Sequence, residues 1–114
     1  MVKTAKEVVI NVAKNDEGKV LMEASRLRDF NGLDGKIGMY SHVKLVPGEK
    51  VDFHIHIKEM ELYYILSGKG IYDDNGEKME VEAGAITFTA SGEGHGLENT
   101  GDTMLEFMAL EVKI

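Results

Sequence analysis

Apolar and polar residues alternate with a period of two along most of this chain. The alternating runs are short and are broken by turn-forming residues roughly every 8 to 12 positions. The runs are Glu7 to Ala13, Lys19 to Ala24, Lys36 to Val46, Lys50 to Ile57, Glu61 to Leu66, Ile71 to Asp73, Lys78 to Glu82, Ala85 to Thr89, Gly94 to Glu98 and Thr103 to Val112. Between them lie Asn15-Asp16-Glu17-Gly18, Pro47-Gly48, Asp74-Asn75-Gly76 and Thr100-Gly101-Asp102, all residue types that adopt tight-turn dihedrals at low cost. Asn75-Gly76 is the strongest two-residue hairpin signal. Helical periodicity is nowhere sustained over a window of about 11 residues. The pattern therefore predicts an all-β sandwich or barrel. The widest gap, Ser25 to Lys36 with Asp29-Phe30-Asn31-Gly32-Leu33-Asp34-Gly35 inside it, is the best loop candidate and could roof a pocket.

The run from Lys50 to Ile57 carries the most informative chemistry. Residues two apart on a strand share a face, so His54 and His56 present adjacent imidazoles while Val51, Phe53, Ile55 and Ile57 face the other way. A short turn, Lys58-Glu59-Met60, then leads into a second strand opened by Glu61. Two imidazoles and a carboxylate can converge on one divalent ion and lack only a fourth donor. Downstream, Gly84 to Asn99 reads as a strand, a glycine-rich turn and the start of another strand bearing His95.

These two stretches resemble the cupin family. Its first motif, G-x5-H-x-H-x4-E-x6-G, is matched by Gly48, His54, His56, Glu61 and Gly68; its second, G-x5-P-x-G-x2-H-x3-N, by Gly84, Gly92, His95 and Asn99. Ala90 stands where the second motif has proline, a departure that bears on loop stiffness and not on ligation. The resemblance implies a double-stranded β-helix, a small jelly-roll barrel, with His54, His56, Glu61 and His95 as ligands of one divalent transition metal. Three imidazoles and one carboxylate leave part of the ion's coordination open, as catalytic and ligand-binding sites do. Manganese, iron(II), nickel, cobalt and zinc are all compatible with that donor set.

Composition narrows the setting. A chain of 114 residues is long enough for one domain, 1–114, with a real core. Its formal charge of −7 repels phosphate backbones, so nucleic acid is not an expected partner. The absence of cysteine excludes disulfides and thiolate ligands and fits a reducing compartment. The opening residues contain no apolar signal-peptide core and no run is long enough to span a membrane, so a cytoplasmic location is expected.

Strand parity places the remaining candidates. Tyr63 shares the face of Glu61 and Ile65, as a hydrogen-bond donor beside the metal and candidate catalytic residue or, the favoured alternative, as core. Met39, Ser41, Val43 and Leu45 form the more apolar row of their strand, which puts His42 outside. Leu105, Phe107, Ala109 and Glu111 share a face of the last strand. The expected pocket wall is Met39, Ser41, Val43, Tyr63, Ile65, Phe107 and Ala109, mostly apolar around a polar centre, which suits a small organic acid or carbonyl compound. Arg26 and Arg28 share a face that either clamps an anion or, by slight preference, is simply solvated.

If the two histidines point inward, the apolar row of Val51, Phe53, Ile55 and Ile57 points outward, and a homodimer that buries it is expected. Two functions compete. One is a metal-dependent enzyme of the dioxygenase, decarboxylase, isomerase or epimerase kinds that the resemblance includes; the other is a non-catalytic module that holds a small ligand or a metal. Intact ligands with an open side favour the enzyme.

Overall fold

The computed structural model describes residues 2–26 and 34–114. It contains ten β-strands and no helix among those residues: β1 Val9–Lys14, β2 Val20–Arg26, β3 Ile37–Leu45, β4 Lys50–Ile55, β5 Glu59–Ser67, β6 Lys69–Asp74, β7 Glu77–Glu82, β8 Ile86–Thr89, β9 Gly94–Glu98 and β10 Leu105–Lys113. They form a six-stranded sheet, β1-β2-β3-β10-β5-β8, and a four-stranded sheet, β4-β9-β6-β7, with antiparallel neighbours throughout. This is the expected jelly-roll arrangement. No helix among the described residues is long and apolar enough to cross a membrane.

Most predicted strands appear within one to three residues of their expected bounds, because turn chemistry fixes their ends. Asn75 and Gly76 both take positive φ, 54° and 94°, and join β6 to β7 as a two-residue hairpin. The expected turn Lys58-Glu59-Met60 is shorter than its residues imply. A single left-handed residue, Lys58 with φ 59°, makes the bend, and Glu59 and Met60 already belong to β5.

The inward rows of β3, β5 and β10 form the core. Leu45 and Leu105 are paired at one end of the barrel and, with Ile65 and Leu97, are fully buried. Toward the other end the same rows become smaller and more polar: Val43, Ser41 and Met39 on β3, and Phe107, Ala109 and Glu111 on β10. The barrel is thus packed at one end and left hollow at the other. Asn99 locks the packed end, its Nδ2 donating to Leu45 O and Thr103 O at 2.9 Å each.

Strict alternation fails at one place on β4. Val51 pairs with Leu97 and His54 with His95, so Asp52 and Phe53 together oppose Gly96 alone. This β-bulge puts Val51 on the inward side with Leu97, His54 and His95, where it packs against the core. The expected outward row therefore loses Val51, while Phe53, Ile55 and Ile57 are outward and 49, 58 and 65 % exposed. The bulge also carries the Phe53 ring across Gly94, where a Cβ would strike it.

Candidate metal centre and cavity

The hollow end collects donors from four points on the chain. His54 lies on β4, His56 just beyond its end, Glu61 on β5 and His95 on β9. Backbone bonds on both sides of His56 hold it in register after β4 ends: its N–H donates to Glu93 O at 3.0 Å, and Gly92 N–H donates to its carbonyl at 2.7 Å. That tie is the work of the glycine-rich turn, in which Gly92 takes φ 88°. Ala90, standing where the family motif has proline, keeps its N–H and donates it to Glu93 Oε1 at 2.9 Å.

The three imidazoles meet through their Nε2 atoms. His54 to His56 is 3.1 Å, His56 to His95 3.0 Å and His54 to His95 3.2 Å. Glu61 Oε1 closes the group at 3.1 Å from His56 Nε2 and 2.9 Å from His95 Nε2. His95 is wholly buried and Glu61 is 2 % exposed.

The other ring nitrogens explain what those Nε2 atoms can do. His54 Nδ1 faces the carbonyl of Asp52 at 2.8 Å, and His56 Nδ1 faces Glu59 Oε1 at 3.0 Å. Both partners only accept, so both Nδ1 atoms carry a proton, and each ring in its neutral form aims an Nε2 lone pair inward. His95 Nδ1 lies 2.7 Å from Tyr72 Oη, which lies 2.8 Å from Thr89 Oγ1. That chain lets His95 donate to Tyr72 and Tyr72 to Thr89, giving the same tautomer. Three lone pairs and a buried carboxylate packed this closely repel one another unless a cation lies among them. The donor set could hold one metal ion.

Behind this set lies a second carboxyl pair. Accepting from His56 pulls the Glu59 carboxyl below its ordinary range, with help from a hydrogen bond with Glu111. Burial, and then the Glu59 carboxylate, push Glu111 up from 4.5 to about 7. Glu111 has room beside β3 because Gly38 has no Cβ to meet its Oε1. A raised carboxyl stabilises the fold through its neutral form, fully below pH 4.5, and that contribution is lost as pH rises through 7. In metal-free protein, Glu111→Gln should therefore gain stability over wild type between pH 5 and pH 8. The gain should be about 1 kcal/mol once the shift is discounted for the carboxyl's access to solvent. Urea titrations at the two pH values measure it, and a gap that does not widen with pH would refute it.

The donors open into a cavity of about 330 Å³ lined by Met22, Ala24, Arg26, Met39, Val43, Val51, His54, Ile55, His56, Glu59, Glu61, Tyr63, Phe107, Ala109 and Glu111. Of the expected wall, Met39, Val43, Tyr63, Phe107 and Ala109 face it. Ser41 and Ile65 do not. Ser41 turns its hydroxyl back to donate to Ser25 O at 3.2 Å, and Ile65 fills the packed end of the barrel.

Tyr63 is buried between Phe107 and His95, with ring centroids 4.5 and 5.0 Å away. Burial, and then the Glu61 charge, push its phenol well above its ordinary range, so it stays protonated. It packs in the core, the favoured of its two expected readings. Arg26 is exposed and contributes to the cavity wall, while Arg28 and most of the expected loop fall outside the described residues. His42 lies on the outer row as expected, half-buried and 3.0 Å from Glu106 Oε1.

Glu59, Glu111 and Tyr72 were not among the expected site residues. Parity put Glu111 on the inward row, a usable signal. Tyr72 comes from the opposite sheet to Glu61, and only the fold brings it to His95.

Three comparisons bear on this arrangement. A sequence profile described as a cupin domain matches residues 41–112. An oxalate-binding protein of Thermotoga maritima is 43 % identical over 93 residues, covering 82 % of this chain and 77 % of the relative. The crystal structure of a predicted oxalate decarboxylase, also from Thermotoga maritima, superposes with a TM-score of 0.87 at 37 % identity over the whole of both chains. A sugar phosphate isomerase of Silicibacter pomeroyi from the cupin superfamily shares only the fold, with a TM-score of 0.70 at 23 % identity, over 82 % of this chain and 60 % of that one.

Proposed function

The chain belongs to the cupin family, and from that premise we propose that it is a metal-dependent enzyme acting on a small oxygen-rich organic compound. The observation that carries this reading is the convergence of His54, His56, His95 and Glu61 at the floor of an open cavity. Three imidazole nitrogens 3.0 to 3.2 Å apart, with one carboxylate oxygen, would together hold the ion and leave part of its coordination to a ligand. A divalent ion bound there would supply Lewis-acid polarisation of a chelating oxygen; manganese, iron(II), nickel, cobalt and zinc all suit these donors.

The chain's own residues do the rest. Asp52 O and Glu59 fix the tautomers of His54 and His56, and Tyr72 can accept from His95 Nδ1, so that three lone pairs aim at one point. Tyr63 keeps its proton and can offer a hydrogen bond to a substrate oxygen. Members of the family run several reaction types on this fold, and the names of the Thermotoga maritima relatives make oxalate and its decarboxylation the first substrate and reaction to try. Carbon dioxide release and oxygen uptake by protein loaded with manganese or iron, tested against oxalate, diketones and catechols, separate enzyme from binder. Turnover of any of them supports catalysis, and tight binding without turnover would favour the non-catalytic module.

Two further outcomes follow from the same reading. Glu59→Leu, which removes the acceptor from His56 Nδ1, should lower metal affinity by about 10- to 100-fold. Glu59→Gln keeps an acceptor and should lose less; metal titration against a competing chelator reads both, and equal affinities across the three proteins would refute it. The homodimer also remains our proposal. Besides Phe53, Ile55 and Ile57, the structure leaves Tyr64, Leu66, Ile86 and Phe88 exposed on neighbouring strands β5 and β8, more apolar surface than an isolated chain favours. Light scattering should find twice the 12.6 kDa chain mass, and a monomer at micromolar concentration would contradict it.

A further inference from the structure

We propose that the compound held at this centre carries an apolar body of several carbons behind its metal-binding oxygens, and is not a bare dicarboxylate. The proposal rests on the metal reading above and goes further by assigning what fills the remainder of the cavity. Beyond the four donors the apolar part of the wall is made by Met22, Met39, Val43, Val51 and Phe107, contributed by β2, β3, β4 and β10. About 330 Å³ is at the lower end of the range of cavities that enclose organic ligands, roughly 300 to 1,000 Å³. Oxalate has six heavy atoms, all of them carboxylate. Seated at the metal site, it would leave these five apolar side chains facing water and gain nothing from them.

Two features of the wall sharpen this. The inward turn of Val51 at the β4 bulge adds an apolar surface beside His54 that simple alternation would have pointed away. Met22 and Met39 are long and unbranched, so they can adjust to the shape of an aliphatic or branched body.

Charge argues the same way. Glu59, Glu61 and Glu111 all line the cavity, and Arg26 is the one cation among its described lining residues. Together with a bound divalent ion and Arg26 that wall is near neutral, so a second carboxylate on the ligand would leave an excess of negative charge that a neutral tail does not. A singly charged 2-oxo or 2-hydroxy acid with an aliphatic side chain has the matching chemistry: two adjacent oxygens for the ion and carbon for the wall.

The test holds the chelating end constant and lengthens the tail. Isothermal titration of the manganese-loaded protein would compare oxalate, pyruvate, 2-oxobutanoate, 2-oxopentanoate and 4-methyl-2-oxopentanoate. Each buried methylene should tighten binding about 3- to 4-fold, so the branched six-carbon acid should bind at least ~10-fold more tightly than pyruvate and more tightly than oxalate. Met39→Gln sets an amide in the wall and should reduce the gain per methylene, measured within the variant by the same series. A flat series, oxalate as the tightest ligand, or an undiminished gain in Met39→Gln would each overturn the proposal while leaving the metal centre standing. Protein that takes up no manganese would overturn the metal reading, and this proposal with it.

Discussion

Replacing His95 with alanine should reduce metal uptake from one ion per chain to none. His95 is wholly buried, and its Nε2 lies within 3.2 Å of both other imidazoles and 2.9 Å from Glu61 Oε1. Removing it deletes one of the four donors and leaves Tyr72 Oη without the ring it meets at 2.7 Å. Loss of a supporting group alone costs about 10- to 100-fold in metal affinity, so loss of a donor should cost more. His54→Ala should behave alike. Because the empty space could disturb the barrel, His95→Gln provides a fuller replacement that still lacks the imidazole. His42→Ala is the matched control, since His42 sits on the outer face against Glu106 and its variant should keep one ion. Elemental analysis of the four proteins decides the point. Undiminished metal in His95→Ala and His95→Gln would remove the basis of the account.

The largest stability effect should come from Gly68→Ala. Gly68 takes φ 86°, where a side chain is strained by about 1 kcal/mol or more. In addition, a Cβ there would lie 2.5 Å from the Met104 carbonyl oxygen and 3.0 Å from Leu105 Cα. Both are backbone atoms of the entry to β10, the strand that joins β3 to β5, so they cannot swing aside as a flexible side chain would. We expect a loss of about 3 kcal/mol or more, which lowers the melting temperature by roughly 10 to 20 °C. Gly76→Ala separates the two causes. Gly76 has φ 94° with nothing within 4 Å of the added atom, so it should lose only the ~1 kcal/mol of conformational strain. Thermal denaturation of the two variants measures the difference, and equal losses would show that the crowding at Gly68 is relieved at little cost.

Gly68 also illustrates what was legible in the sequence. Its match to the cupin motif, together with Gly48, His54, His56 and Glu61, marked it as a fixed position, and the same resemblance implied the donor set. Strand parity correctly assigned the faces of β3, β5 and β10. Parity gives the face, however, and not the depth along the barrel. Ser41 and Ile65 were expected at the cavity because they share a row with residues that reach it, yet one bonds back to β2 and the other lies at the packed end.

The bulge at Asp52 and Phe53 left no mark in the alternation, because Val51 and Phe53 are both apolar and suit either side. Nor did Tyr72 stand out, since its approach to His95 depends on β6 pairing with β9, 23 residues on in the chain. Glu59 was read as part of a turn, and its approach to His56 depends on β5 starting earlier than its residues imply. Local patterns thus encoded the spacing of the donors, and the groups that face their other ring nitrogens lie close by: Asp52 O and Glu59 two and three residues away along the chain, and Tyr72 on the strand beside that of His95.

The most direct test of the central claim is anomalous diffraction from crystals grown with manganese. The account predicts one strong peak among His54 Nε2, His56 Nε2, His95 Nε2 and Glu61 Oε1, with density for solvent or a ligand on the cavity side. A peak instead at Glu59, Glu111 and His56 Nδ1, the other donor cluster within reach, or no peak inside the barrel at all, would contradict it.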